Sequence, residues 1–387
     1  MTQGPLRVLI AACVPSRREG GVAAVAQQLG GELEKRGHEV TYLFQDELFQ
    51  PDEKIPHRFI ELVFAWRVNQ YIRKNRERIG VANLHAPAGL IYGLRRKFLG
   101  GGGPAYVMTL HGLEERRMRV QAREEKKGFA WHYALRNRIW QRLYRLPLFA
   151  WSIRTADGAH TVARDTWNYL QLRYGMAPER TEYISSGVDE RFFIEREYSA
   201  DRPLRLLYAG TWLDQRGIFY LREALARLAK ELPGMTMTFA GCGCPAETIT
   251  EFFGPELAGT VRVQQVVPAG EMQGLLAEHD VFLFPSLMEG MPVVVLEAMA
   301  TGMPVITTET CGMPDVVEDD FNGVLVPPAN TDAIVASVRR LAGSAETRRR
   351  LGEAARETMR RHTWKAAGEK LEALFRRVIA LEKKGEG

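Results

Sequence analysis

Cysteine is scarce in this 387-residue chain, with four residues at Cys13, Cys242, Cys244 and Cys311. No histidine stands near Cys242 and Cys244 at zinc spacing, and a closed zinc centre needs four ligands, so the Cys-x-Cys pair makes a poor metal site. No disulfide framework is apparent, which suits a reducing compartment. No uninterrupted apolar run reaches the roughly 20 residues of a membrane span. The opening MTQGPLRVLIAAC has no basic head followed by a separate apolar stretch and cleavage site, so it reads as a first strand and not a signal peptide. These absences point to a cytoplasmic protein, soluble or held peripherally at the inner face of a membrane. Neither half contains a GxGxxG fingerprint. Gly241-Cys242-Gly243 is too short and has no acidic partner about 20 residues on, which disfavours a nicotinamide enzyme. No Asp-x-Asp pair stands at a strand end, so neither a metal nor another cofactor is expected.

The chain does have bulk and alternation. A 45% hydrophobic composition over 387 residues suffices for two cores, since single cores rarely grow past roughly 250–300 residues. Short apolar runs alternate with helical patterns. Strands are read at Arg7 to Ala12, Val40 to Phe44, Tyr106 to Leu110 and Ala159 to Val162, and helices over Val22 to Lys35 and Phe59 to Ile79. The pattern restarts near residue 204, with strands at Leu204 to Tyr208, Met235 to Ala240, Val261 to Val266, Val281 to Leu283, Pro304 to Thr308 and Val324 to Val326. Helices are read over Tyr220 to Leu232 and Val295 to Ala300. Strands apolar on both faces and interleaved with helices form mostly parallel sheets covered on both sides. The fold class is therefore α/β, with two Rossmann-like, doubly wound domains facing each other across a cleft. The domains are expected at 1–195 and 196–362, joined through the charged, turn-rich 195–203. A last helix in 363–387 is expected to return to the first domain.

Charge is concentrated. From Glu115 to Arg154 there are 11 Lys or Arg against 3 Glu, a balance of +8 in a chain of net +5. A basic island on an otherwise mildly acidic protein points to a local anionic partner surface and away from nucleic acid. Between Trp131 and Trp151 aromatic residues mix with Arg136, Arg138, Arg142 and Arg145, with Lys126 just before. This stretch reads either as an amphipathic surface helix touching anionic lipid or glycan, or as a core-packed helix with a solvated basic face.

Several positions carry chemistry. Gly20 and Gly21 lie between the first strand and a helix, where backbone can approach an anion closely. Arg216 and Gly217 hold the matching place after the strand ending at Gly210, and there a guanidinium and a helix start can converge on a diphosphate. Glu289 and Glu297 bracket a loop-to-helix junction. Two carboxylates so placed can accept hydrogen bonds from vicinal hydroxyls, one from a ribose and one from a hexose. The backbone from Gly290 through Met291, Pro292 and Val293 forms the helix start beside them, suited to phosphate. Glu297 sits among Val294, Val295, Leu296, Ala298, Met299 and Ala300, which argues for a paired or ligand-bound carboxylate. His85 and His111 end strands, either as site residues or as structural histidines.

Taken together, Pro285-Ser286, Glu289-Gly290 and Glu297-Ala298-Met299-Ala300-Thr301-Gly302-Met303-Pro304-Val305 resemble the retaining glycosyltransferase family usually numbered four, which has the GT-B fold. His111-Gly112, Gly20-Gly21 and Gly37 to Val40 match further motifs of that family. The resemblance implies that Glu297 binds the nucleotide ribose and that Glu289 and His111 contact the donor sugar. It places Gly20 and Gly21 beside the diphosphate and acceptor. Gly210, Thr211 and Arg216 stand where the family holds its phosphate clamp. There are departures. Thr211 replaces a clamp arginine, Arg216 replaces a lysine, Ser186 replaces an asparagine, and Cys311 and Asp315 replace a glycine and a glutamate.

The implied activity is retaining transfer of a hexosyl group from a nucleoside diphosphate sugar, UDP preferred and GDP allowed, to a glycan, glycolipid or small-molecule hydroxyl. His111, Glu289 and Arg216 carry the catalysis and no metal takes part. The alternatives are a sugar phosphorylase or sugar-phosphate synthase on the same fold, a non-catalytic nucleotide-sugar or glycan-binding homologue, and a scaffold acting through the basic island. Residues 115–154 are the expected contact to an anionic membrane, with a lipid-linked or surface-polysaccharide acceptor.

Overall fold

The structure, a computed structural model, describes residues 4–16, 21–100, 102–126, 135–268 and 270–385. These fall into two compact units. The first comprises 4–115, 135–186 and 364–385, and the second comprises 116–126 and 187–363.

The first unit is built on six parallel strands, β1 (Arg7–Ala11), β2 (Glu39–Leu43), β3 (Val81–His85), β4 (Ala105–Leu110), β5 (Gly158–Thr161) and β6 (Thr181–Tyr183), in the order β2-β1-β3-β4-β5-β6. Every residue of β3, β4 and β5 is buried, as expected of central strands covered on both faces. At the edge, β2 (EVTYL) instead alternates exposed with sheltered residues. The helix Gly21–Lys35 covers the sheet with Val25, Ala26, Leu29 and Leu33, and Gly37 follows it with φ +85°. The helix expected over Phe59 to Ile79 runs only over Ile60–Lys74. Asn75 closes it by donating from its side-chain amide to the Tyr71 carbonyl at 2.9 Å, a local competition typical of asparagine. In the basic aromatic stretch the helices Leu135–Trp140 and Leu146–Arg154 are joined by a π-helical turn, Gln141–Arg145. Pro147 has no N–H for the carbonyl four residues back, and the ladder widens just before it. Residues 131–134, Lys127 and Gly20 lie outside the described residues.

The helix Trp364–Gly385 belongs to the first unit. Its Leu371, Leu374, Phe375 and Val378 are fully buried. Arg36, in the turn after the helix Gly21–Lys35, meets Glu372 at 2.6 Å and Glu369 at 3.3 Å. Gly368 sits so close to Glu32 that an added Cβ would lie 2.7 Å from its Cβ. The second unit begins at Gly187, so residues 187–203 all lie within it. Arg196 accounts for this, since its guanidinium donates to the carbonyls of Thr301 (3.1 Å), His279 (2.5 Å) and Leu276 (2.5 Å). A charged stretch that resembled a linker is thus fastened into the second unit.

That unit has β7 (Arg205–Ala209), β8 (Thr236–Ala240), β9 (Val261–Gln264), β10 (Val281–Phe284), β11 (Val305–Thr308) and β12 (Val324–Val326), all parallel, in the order β12-β11-β10-β7-β8-β9. β9 stops at Gln264, two residues before the expected end. It is an edge strand, and the Gly241 N–H to Gln264 carbonyl bond at 3.0 Å ends its pairing, leaving Val266 70% exposed. From β7 the chain winds outward through β8 and β9, then returns to place β10 on the other side of β7. The strand order reverses between β7 and β10, and it is outside the carboxyl ends of strands flanking such a reversal that sheets of this kind bind ligands.

Truncating a fully buried aromatic leaves a cavity that the fold refills only in part. Phe375→Ala is expected to lower unfolding free energy by about 3–5 kcal/mol, read by denaturant melts, with the loss in the transition that reports the first unit.

Candidate functional site

The loops that leave β7 and β10 meet at the switch point. Gly217 has φ +76°, and a Cβ there would fall 2.1 Å from the Pro285 carbonyl oxygen, so only glycine allows this approach. Around it the Leu287 N–H donates to the Gln215 carbonyl at 2.7 Å, and the Ser286 hydroxyl donates to the same carbonyl at 3.1 Å. Gly312 N–H then reaches the Gly290 carbonyl at 3.0 Å, drawing in the loop after β11.

This lacing puts Arg216 against Glu289. The two form an ion pair in which only 15% and 19% of the side-chain surfaces are exposed. The guanidinium also lies over the Phe284 ring, 5.2 Å from its centroid. Burial draws Arg216 down from its ordinary value. Glu289 Oε1 accepts from its own neighbour, the Gly290 N–H, at 3.2 Å. Breaking a buried pair leaves an uncompensated charge, so each partner holds the other in place.

The helix Val293–Ala300 starts beside them with no side-chain cap. Pro292 is its N-cap and carries no N–H, so the donors available at this end are Met291, Val293 and Val294. The helix Ile218–Glu231 likewise starts at Gly217 with no side-chain cap. Two uncapped helix starts and a guanidinium therefore share one end of the sheet, an arrangement that favours an anion. Glu297 lies on the second turn of its helix, half-buried, and among the described residues its carboxylate accepts no hydrogen bond. Burial pushes its pKa up to about 7, with Arg191 pulling it down and Asp189 raising it. Asp189 Oδ1 is itself held by the Arg191 N–H at 3.0 Å. Sequence reasoning missed these two neighbours. Ser186 was visible as a departure from the family pattern, but the placement of the residues after it depends on Val188 N–H bonding to the His362 carbonyl at 2.9 Å.

Thr211 is exposed at the mouth of the β7 loop, and its carbonyl accepts from the Tyr208 hydroxyl at 3.1 Å. Gly210 precedes it with φ +144°. The next residue, Trp212, turns inward, with its ring edge-on to Phe239 (5.6 Å), Phe252 (5.4 Å) and Phe253 (6.0 Å). This aromatic cluster fixes the loop beside Thr211, where the family pattern would place a clamp arginine.

The remaining candidates lie in the first unit. Gly21 opens its helix with φ +69°, and among the described residues nothing lies within 4 Å of an added Cβ. His111 Nε2 and His85 Nδ1 are 2.9 Å apart. Register aligns His85 with Thr109 and Thr109 with His160 across β3, β4 and β5. Thr109 Oγ1 bonds His160 Nε2 and accepts from Asn83 Nδ2, each at 2.8 Å. Burial lowers all three imidazoles. His111 falls to about 4, His160 to about 3, and His85 well below its ordinary value, pressed also by the other two rings. Neither His160 nor the His85–His111 bond was legible in the sequence, because both depend on strand register. Among the described residues no group of three or more His, Cys, Asp or Glu is placed to hold a metal.

The model described as Glycosyl transferases group 1 matches residues 189–358, and the one described as Glycosyltransferase Family 4 matches residues 19–192. The chain belongs to the family 4 glycosyltransferases. Amylovoran biosynthesis glycosyltransferase AmsK of Erwinia amylovora is 30% identical to this chain over 183 residues, 45% of each chain. The match thus spans about half the length of such curated relatives. Sucrose-phosphate synthase from Thermosynechococcus elongatus superposes with a TM-score of 0.79 at 18% identity, covering 97% of this chain and 100% of that one. Anabaena HepE in complex with UDP gives 0.67 at 15% identity, covering 95% and 98%. At such identities the likeness concerns the fold, which is GT-B. No helix among the described residues is long and apolar enough to cross a membrane.

The histidine row makes the stability of the first unit depend on pH. An unfolded histidine titrates near ~6.5, so below that pH the unfolded chain binds protons the folded chain refuses. Stability is therefore full above about pH 6.5 and falls on acidification toward pH 4, by up to about 1.4 kcal/mol per pH unit for each such histidine. Denaturant melts across this range check the slope. Nitrogen-15 spectra should show His111 neutral at pH 6. Its proton is expected on Nδ1, because the opposite arrangement leaves a buried N–H on His85 Nε2, which has no acceptor.

Proposed function

We propose that this chain transfers a hexosyl group from a nucleoside diphosphate sugar, UDP being the preferred carrier, to an acceptor hydroxyl with retention of anomeric configuration. The reading rests above all on the switch point, where Arg216, two uncapped helix starts and the half-buried Glu297 share one end of the second sheet. Glu297 would accept hydrogen bonds from the ribose hydroxyls. The diphosphate would lie on Arg216 and on the N–H groups of Met291, Val293 and Val294, with Glu289 turned to the donor sugar. The anomeric carbon–oxygen bond to phosphate breaks and a glycosidic bond forms to the acceptor oxygen, whose proton passes to the departing phosphate. Charge growing on that phosphate is met by donors already in place, which is preorganised electrostatic catalysis. His111 is proposed to orient the sugar, and the backbone at Gly20 and Gly21 to accommodate the diphosphate and acceptor. The HepE complex supports the choice of UDP, since that protein holds UDP on the same fold.

Calorimetric titration with UDP tests the donor half. Glu297→Ala is expected to weaken binding about 10- to 100-fold, the value of one or two hydrogen bonds to a charged acceptor. In the unaltered chain UDP affinity should decline as pH falls through about 7, where Glu297 gains a proton and loses acceptor capacity. Arg216→Lys keeps the charge but loses the fork, so it should retain part of the affinity where Arg216→Ala does not. His111→Ala should lower turnover while leaving UDP affinity unchanged. UDP-sugar binding without turnover in the parent chain would favour a non-catalytic binding module instead.

The acceptor side is proposed to meet an anionic membrane through residues 115–154, at the inner face. Leu143 and Ile139 are 76% and 49% exposed beside Arg138 and Arg142, a mixture suited to a lipid interface. Flotation with vesicles should show binding that rises with anionic lipid content and weakens in salt. Binding insensitive to both would remove this part of the reading.

A further inference from the structure

The first unit contains a cavity of about 400 Å³ lined in part by the basic aromatic stretch. One wall is the end of β4, where Leu110 and Gly112, the residues on either side of His111, both line it. The opposite walls come from the helices Leu146–Arg154 and Arg164–Tyr174. Three arginines line this space, Arg142, Arg154 and Arg173, each with an exposed side chain. Among the described residues none of the three is paired with a carboxylate. The two glutamates on the wall are already engaged. Glu114 pairs with Arg145 at 3.1 Å, and Glu115 accepts from the Tyr169 hydroxyl. Burial and the Glu115 carboxylate together push that phenol up to about 12.

The cavity is also aromatic. Arg154 lies over the rings of Trp151 (5.8 Å) and Tyr174 (5.2 Å), so its position is set by ring faces with no counter-charge. Trp151 is 41% exposed and meets Phe98, itself 60% exposed, edge-on at 6.0 Å. Three cations around one cavity repel one another unless an anion enters, and arginine forks suit phosphate oxygens. An apolar shelf running out from that cavity suits a hydrocarbon chain.

We propose that this cavity binds the phosphate head of a lipid-linked acceptor, whose hydrocarbon chain leaves over Trp151 and Phe98. The proposal deepens the transferase reading by naming an acceptor class, and it rests on that reading. A lipid phosphate is favoured over a free anion because the arginines share the cavity with exposed rings. A carried acceptor is favoured over a bulk membrane lipid because the cavity wall includes both neighbours of His111.

The test uses the full chain and farnesyl phosphate as a soluble probe, with farnesol, inorganic phosphate and phosphatidylglycerol vesicles as separate arms. Farnesyl phosphate is expected to bind at least about tenfold more tightly than farnesol or inorganic phosphate. The combined substitution Arg142→Gln, Arg154→Gln and Arg173→Gln should weaken it roughly tenfold or more. The melting shift produced by UDP should be unchanged in that variant, which shows that the fold and the donor site are intact. Phe98→Ala should weaken farnesyl phosphate without affecting inorganic phosphate. Equal binding by the triple variant would overturn the proposal, as would inorganic phosphate binding as well as the amphiphile, or vesicle binding with no affinity for the soluble probe. Failure of the transferase reading would appear separately, as loss of any UDP response in the parent chain.

Discussion

The approach of Gly217 to the Pro285 carbonyl is the constraint on which the rest of the second unit's site depends. A side chain at 217 would collide with backbone, and backbone cannot swing aside. Because the loops after β7 and β10 touch there, Arg216 reaches Glu289, and the start of the helix Val293–Ala300 lies beside both. The strand order reverses at this point, which is where open α/β sheets bind ligands. Rigidity matters to the chemistry proposed. A donor array that must assemble at the moment of bond breaking loses much of its effect, whereas one laced by backbone contacts is ready beforehand.

The Arg216–Glu289 pair has a second consequence. In the chain without ligand each charge satisfies the other, which limits the cost of burying both. An entering diphosphate would compete for Arg216 and free Glu289 for sugar hydroxyls. The same pair would thus stabilise the empty site and be rearranged in the filled one. Thr211 matters less in this light than its departure from the family pattern suggests. The loop is fixed instead by Trp212 in its cluster of phenylalanines, and the cation that remains is the buried one.

Much of the fold was legible because the physics is local. Strands such as Arg7–Ala11 and Thr236–Ala240 are short apolar runs between turn signals, and the helix Gly21–Lys35 carries its apolar stripe openly. The paired glutamates and the Gly217 and Gly290 turns were legible for the same reason. What the sequence hid depends on contacts distant along the chain. Residues 195–203 resemble a linker until Arg196 is seen bonded to three carbonyls of the second unit. β6 is three residues long and has too little pattern to read. The row His85, Thr109 and His160 exists only through register, and Asp189 and Arg191 come to Glu297 only because Val188 is tied to His362. Pro292 shows the opposite fault. It belongs to a phosphate-cradling motif by position, yet it has no N–H to contribute.

The central claim is that the β7–β10 switch point holds the nucleotide diphosphate. A crystal structure of the full chain grown with UDP tests it most directly. The account predicts ribose hydroxyls on the Glu297 carboxylate, phosphate oxygens on Arg216 and on the N–H groups of Met291, Val293 and Val294, and Glu289 released from Arg216. A nucleotide bound elsewhere, or one bound here with the Arg216–Glu289 pair still closed, would contradict it.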